Sequence, residues 1–400
     1  MSAFAEYRSW LVVEVAEGFG AATVAGKLFS DLGCTVARLD CAEGTDVPET
    51  ESERDLLELM SRAKHSVGVA CMHTASAEVL GALLGAAEIL VADRAGVLRL
   101  QAMLRTTDLR DRFPRLTVCA CTLFGMAGPM ATWTGGEEIV QAVSGMMSIT
   151  GHSGTGPTRV AGAPLTHAAA MFAVTSSLAD VVRKRSGERA GFLDATVYDA
   201  AVAFQSASLP SYFLTGVAPE GIGNRHSMSA PWNSFRCADG WIIVCAGNHP
   251  NWVRLCETVE RPDLLNDPRY ATQHDRLAHV DALEAEITAW TSGRGVAEVE
   301  QLLNIGSIAS GSVLPLHDVV GHRQFRERNL IDAATGGRQS GGVFHLDREP
   351  LDIREGNWRA GGGTRAVLVD RCGVMPAEYA RWLAQGAVLE EQEMAHVEAT

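Results

Sequence analysis

The chain has 400 residues, 46% hydrophobic and 20% charged, with 34 basic against 48 acidic side chains and a formal net charge of −14. A disordered chain is excluded, because disorder needs low hydrophobicity with high charge. Nucleic acid is excluded as a partner, because phosphate contacts need clustered Lys and Arg. The length predicts two or three domains, or one large discontinuous one. The nine cysteines are odd in number and include no CxxC pair, which predicts reduced thiols and a cytoplasmic location rather than a disulfide framework. Cys119 and Cys121 read as core residues of a strand, and no metal is expected. The opening MSAFAEYRSW has no basic segment followed by an apolar run, so no signal peptide is expected. Residues 139–158 and 160–179 carry no Asp, Glu, Lys or Arg, a length that spans a bilayer. Gly145, Gly151 and Pro157 interrupt the first and Pro164, Thr166 and His167 the second, so both read as buried core and no membrane is expected as a partner.

In chain order, residues 10–16 (WLVVEVA) predict a buried strand and residues 18–32 a helix stopped by Gly33. Strands are predicted at 35–40 (TVARLD), 64–70 (KHSVGVA), 88–91 (EILV) and 115–122 (RLTVCACT), with a helix at 76–84. Strand–helix alternation at this spacing means βαβ units and a mostly parallel sheet. Residues 124–136 (FGMAGPMATWTGG) form a glycine-rich loop. A long helix is predicted over 166–185, with Thr166 as N-cap and Arg183, Lys184 and Arg185 at its C-terminus. Asp239-Gly240 predicts a hairpin between 234–237 and 241–245. Residues 251–303 read as helical, most clearly Val280–Thr291, and residues 376–385 as a final helix. The fold class is α/β: a discontinuous Rossmann-like domain over 1–210 completed by 321–400, and a smaller α+β domain over 215–320.

Gly18-x-Gly20 follows a strand and opens a helix, with Asp40 ending the next strand. This is a partial dinucleotide fingerprint, with Thr23 at its third glycine position, and it makes an NAD-dependent dehydrogenase one alternative. Arg38, two residues before the acid, points instead to a phosphate-bearing ligand.

The blocks VAEGFGAATVAGKLFSDLGCTVARLD, SRAKHSVGV, ADRAGV, FGMAGP, QAVSGMMSITG, RSGERAGFLDATVYDAAVAF, GNRHSMSAPWNSFRCADGWIIVCAGN, LLNDPRYAT and HDVVGHRQFRERNLI occur in this order along nearly the whole chain. Together they resemble the family III CoA-transferases, the group with formyl-CoA transferase, the carnitine CoA-transferases and alpha-methylacyl-CoA racemase. The resemblance implies two interlocked subunits, and coenzyme A bound as an acyl-CoA substrate beside a small carboxylic acid. Arg38, Lys64 and Arg94, with Gly18, fall at positions that imply contact with the coenzyme, whose phosphates call for Arg or Lys near helix N-termini.

The family's transferases use an aspartate that attacks the acyl-CoA carbonyl, forming a mixed anhydride and then an enzyme–CoA thioester. The matching stretch here is Gly162-Ala163-Pro164-Leu165-Thr166-His167, which puts His167 at the aspartate position. An imidazole cannot form a carboxylic anhydride. Glu138 matches an acidic residue near the family's active centre. Three functions follow from the resemblance. The first is an aspartate-lacking subunit that works with a paralogue retaining the aspartate. The second is a stand-alone racemase, lyase or acyltransferase using His167, with Glu138, as base or acyl acceptor. The third is a non-catalytic protein that binds CoA esters.

Overall fold

The computed structural model describes residues 7–42, 50–328, 343–347, 349–351 and 356–398. The last three residues of HDVVGHRQFRERNLI, and residues 1–6 of the opening segment, lie outside the described residues. The chain divides into two units, one of residues 1–144, 160–209 and 324–400 and the other of residues 145–159 and 210–323.

The first unit is built on a seven-stranded sheet. Its elements begin β1 (Leu11–Val15), α1 (Ala21–Asp31), β2 (Thr35–Cys41), α2 (Glu51–Ser61), β3 (His65–Val69), α3 (Ser76–Ala86), β4 (Ile89–Ala92) and α4 (Arg94–Leu104). They continue with β5 (Thr117–Thr122), α5 (Glu137–Val143), α6 (Pro164–Lys184), β6 (Phe192–Thr196) and α7 (Val197–Ala203). The order across the sheet is Val388–Leu389, β3, β2, β1, β4, β5, β6. All neighbours are parallel except the short C-terminal strand on β3. The direction of winding reverses between β1 and β4, the place where open α/β sheets form a crevice at their strand carboxyl ends. Every residue of β1 is buried, as expected of a parallel strand covered on both faces. Val13, Leu39, Val67, Leu90, Leu100 and Val118 sit in the core beside it.

Local chemistry sets the helix ends. Thr50 and Glu53 form a capping box at α2. Gly33, at φ +95°, ends the chain segment after α1. Helix α6 starts two residues before the expected N-cap: Ala163, at φ +53°, is the cap and Pro164 lies inside the helix. Proline fits the first helical position because the N–H it lacks has no intrahelical partner there. Helix α6 is long and apolar enough to cross a membrane, and 56% of its most apolar window is buried. It packs on α1, β5 and β6.

Cys41 and Cys71 correct the expectation of reduced thiols. They are joined as a disulfide, with Cα atoms 5.5 Å apart. Parallel pairing of β2 with β3 puts Cys41 opposite Val69, two residues from Cys71. This proximity is set by register and invisible in a 30-residue sequence separation. Cys119 and Cys121 are free and buried.

The second unit holds an antiparallel sheet of β7 (Trp232–Arg236), β8 (Trp241–Cys245) and β9 (Ala309–Ser312). The Asp239-Gly240 hairpin joins β7 to β8 with Arg236 opposite Trp241. Residues 251–303, expected as helical, form α8 (His249–Thr258), α9 (Gln273–Ala278), α10 (Val280–Thr291) and α11 (Val296–Ile305). Short 3₁₀ turns at Pro262–Leu265 and Pro268–Tyr270 separate the first two, because Pro262 and Pro268 cannot continue an α-helix. Residues 145–159 belong to this unit although they precede α6: the Gly223 N–H donates to the Gly151 carbonyl at 2.7 Å.

Candidate active site

The carboxyl ends of β1, β4 and β5 open on a cavity of about 410 Å³ within the first unit. The β1–α1 turn contributes Ala16, Glu17, Phe19 and Gly20. Gly18, between them, is at φ +69°, which favours glycine, and its carbonyl accepts from Thr23 Oγ1 at 2.8 Å. Asp93 and Arg94 come from the start of α4. That helix can approach β1 only because residue 96 is Gly: a Cβ there would lie 2.6 Å from the Val15 carbonyl oxygen. Leu123 and Phe124 follow β5, and Trp133 comes from the glycine-rich loop. Glu137 and Glu138 come from the start of α5, and Ala163 and Thr166 from the start of α6.

Most of the charges in this wall are already engaged. Asp93 caps α4 by accepting from Gly96 N at 2.6 Å and also accepts from Glu17 N at 2.6 Å. Glu17 pairs with Arg99. Arg94 donates to the Met126 carbonyl at 2.9 Å. Glu137 is buried; its carboxylate accepts from Thr166 N at 2.7 Å and from Gln141 Nε2 at 2.8 Å. It therefore satisfies an N–H that the helix itself leaves free, and puts negative charge at the positive end of a 21-residue helix.

His167 stands at the start of α6, outside the residues lining the cavity, with its ring centroid 6.1 Å from that of Phe19. Its Nδ1 lies 2.9 Å from the Ala163 carbonyl oxygen. A carbonyl only accepts, so Nδ1 is the donor in this contact.

Among the expected site residues, Arg94 and Glu138 line the cavity, while Gly18 and His167 adjoin lining residues. Arg38 and Lys64 are elsewhere. The Arg38 guanidinium donates to both Asp40 carboxylate oxygens, at 2.9 and 2.7 Å, and to Ser61 Oγ at 2.6 Å. The same pairing occupies Asp40, the acid of the partial dinucleotide fingerprint. Lys64, expected as a phosphate contact, lies inside the protein. It is fully buried, 2.6 Å from Glu14 Oε2, and donates to the Thr23 carbonyl at 2.9 Å. Burial pulls the Lys64 pKa below the usual lysine value against the opposing attraction of Glu14, and pushes that of Glu14 up. Among the described residues, no cluster of three or more His, Cys, Asp or Glu is placed to hold a metal.

Sequence reasoning passed over Glu137 for its neighbour. The available signal was helix phase: Val140 is three residues from position 137, so that position shares the buried face. Glu138 is one residue off it and exposed.

Residues 9–362 match the model of CoA-transferase family III. The chain belongs to CoA-transferase family III. It is 32% identical to the acetyl-CoA:oxalate CoA-transferase of Acetobacter aceti over 242 residues, 60% of each chain. The match thus spans less than two thirds of that relative. It is 30% identical to the succinyl-CoA:mesaconate CoA-transferase of Haloarcula hispanica over 280 residues, 66% of this chain and 69% of that protein. The crystal structure of a CAIB/BAIF family protein from Brucella suis superposes with a TM-score of 0.77 at 21% identity, covering 90% of this chain and 98% of that one. The last likeness concerns the fold.

Proposed function

We propose that this family III protein acts on CoA thioesters, transferring CoA between an acyl-CoA and a small carboxylic acid as the aspartate-lacking subunit of a two-subunit enzyme. One observation carries the reading. The position that resembles the family's nucleophile holds His167, whose ring is tied to its own helix start and lies outside the cavity-lining residues. The carboxylate that attacks the thioester then comes from a paralogue, in an interlocked heterodimer. Membership of the family and the names of the relatives support the reaction class. Arg94, beside the cavity, and Gly18, in the β1–α1 turn, remain the candidate contacts to the coenzyme. Arg38 is a weaker one, since Asp40 already holds it.

A second reading rests on the free Nε2. A neutral imidazole with Nδ1–H held by a carbonyl is a competent base or acyl acceptor, which would make His167 the centre of a stand-alone enzyme, with Glu138 of the cavity wall as its second acid–base group. Transfer of CoA from acetyl-CoA to oxalate and other small acids, by the protein alone and with a co-expressed aspartate-containing paralogue, separates the two. Activity that needs the paralogue supports the first. Activity of the single protein that is lost in His167→Ala supports the second. Thioester binding without turnover in either preparation overturns both and leaves a CoA-ester-binding protein.

A further inference from the structure

The cavity wall carries more acidic than basic side chains, so beyond the reach of Arg94 it disfavours the phosphates of a coenzyme. Glu17, Asp93, Glu137 and Glu138 all contribute to its wall, and Arg94 is the cationic residue among the lining side chains. Arg94 already spends one N–H on the Met126 carbonyl. What enters must therefore be a part of the thioester that carries no negative charge, which means the thioester group and the acyl chain. The α6 start adjoins the cavity through Ala163 and Thr166 of the wall, with residue 167 just outside the lining. The size, about 410 Å³, suits a small organic group.

Among small residues, the uncharged part of the wall carries three aromatic side chains. Phe124 and Trp133 meet edge to face with centroids 5.8 Å apart, and Tyr198 supports Phe124 from 6.1 Å. Phe19 stands in the same wall. Trp133 is 47% exposed, so it leaves apolar area to be covered by a ligand. A second carboxylate on the acyl group would meet Glu138 directly and, behind their own partners, Glu17, Asp93 and Glu137, with one engaged arginine; specificity of this kind arises as much from unpaired charge as from attraction.

We propose that the cavity selects acyl groups that are uncharged and apolar, aromatic or branched aliphatic, and rejects those bearing a second carboxylate. Phe124 and Trp133 are the specificity-determining residues for the first property, and Glu138 for the second. The inference rests on the CoA-thioester reading above, and it departs from the dicarboxylic acids named in the relatives.

Titration calorimetry of the full chain with acetyl-CoA, phenylacetyl-CoA, isovaleryl-CoA and succinyl-CoA tests it. Phenylacetyl-CoA and isovaleryl-CoA should bind at least about tenfold tighter than succinyl-CoA, a ratio within reach of burying one apolar group. The ratio of the first two distinguishes an aromatic from an aliphatic preference. Trp133→Ala should weaken the favoured ester about tenfold and leave acetyl-CoA within about twofold; Glu138→Gln should improve succinyl-CoA selectively. Equal or tighter binding of succinyl-CoA in the unaltered protein overturns the inference while leaving the thioester reading intact. Failure of all four esters to bind overturns the thioester reading, and the inference with it.

Discussion

Replacing Lys64 by Met tests whether this residue is structural or a coenzyme contact. Its side chain is 0% exposed and that of Glu14 1%, with charged atoms 2.6 Å apart. At an effective dielectric near 20 their gross attraction is about 6 kcal/mol. Desolvation costs several kcal/mol for each ion, so the net worth of the intact pair is small. Removing one partner is different, because Glu14 is then left buried and unpaired, and Lys64→Met should destabilise by about 3–5 kcal/mol. The double variant Glu14→Leu with Lys64→Met removes the orphaned charge and should regain most of that loss. About 1 kcal/mol is expected to remain, because the Thr23 carbonyl loses its donor. Urea unfolding followed by circular dichroism measures all three proteins. If Lys64→Met unfolds within about 1 kcal/mol of the unaltered chain but binds CoA much more weakly, the burial argument is wrong and Lys64 is a ligand contact.

The Arg276 guanidinium is buried and donates to the carbonyls of Ala230 at 2.8 Å, Gly247 at 3.0 Å and Tyr270 at 3.2 Å, so Arg276→Met should orphan these acceptors and lower stability by about 3 kcal/mol or more in the same unfolding assay. Burial pushes the Asp180 carboxyl up, but hydrogen bonds from Gly191 N–H, Arg183 and Thr117 outweigh it and hold its pKa below the usual aspartate value. Its stabilisation is therefore full above the unfolded pKa of about 3.9 and is lost as pH falls through the lower folded value; acid unfolding of Asp180→Asn should show a shallower loss in that window. His167→Asp puts a carboxylate at the position that resembles the family's nucleophile and, on the proposed reading, should yield an acyl or CoA adduct on residue 167 by mass spectrometry after incubation with acetyl-CoA. A bound ester with no adduct would count against an intact pocket around that position.

The parallel-sheet domain was legible because its signals are local. Short apolar runs separated by helical patterns, Gly33 after a helix, and the Asp239-Gly240 turn each depend on a few adjacent residues. The ordered blocks that resemble the CoA-transferases pointed to the family, and His167 could be singled out from the stretch between two of them that resembles the family's nucleophile motif. The sequence by itself therefore determined the fold class and the family. Tertiary structure decided which polar residues are free to act. Arg38 and Lys64 looked alike as cations near strands, yet Arg38 is held by Asp40 of its own strand and Lys64 is buried against Glu14 of β1. The register of β2 on β3 brings Cys41 to Cys71. Glu137 and Glu138 are adjacent in the chain and both line the cavity, but the first is buried against the start of α6 and the second is exposed. The burial of Lys64, the disulfide and the Glu137 contact come from packing between segments distant in sequence. Local pattern registers the kind of a side chain, whereas its solvation and its partners are set by what the folded chain lays against it.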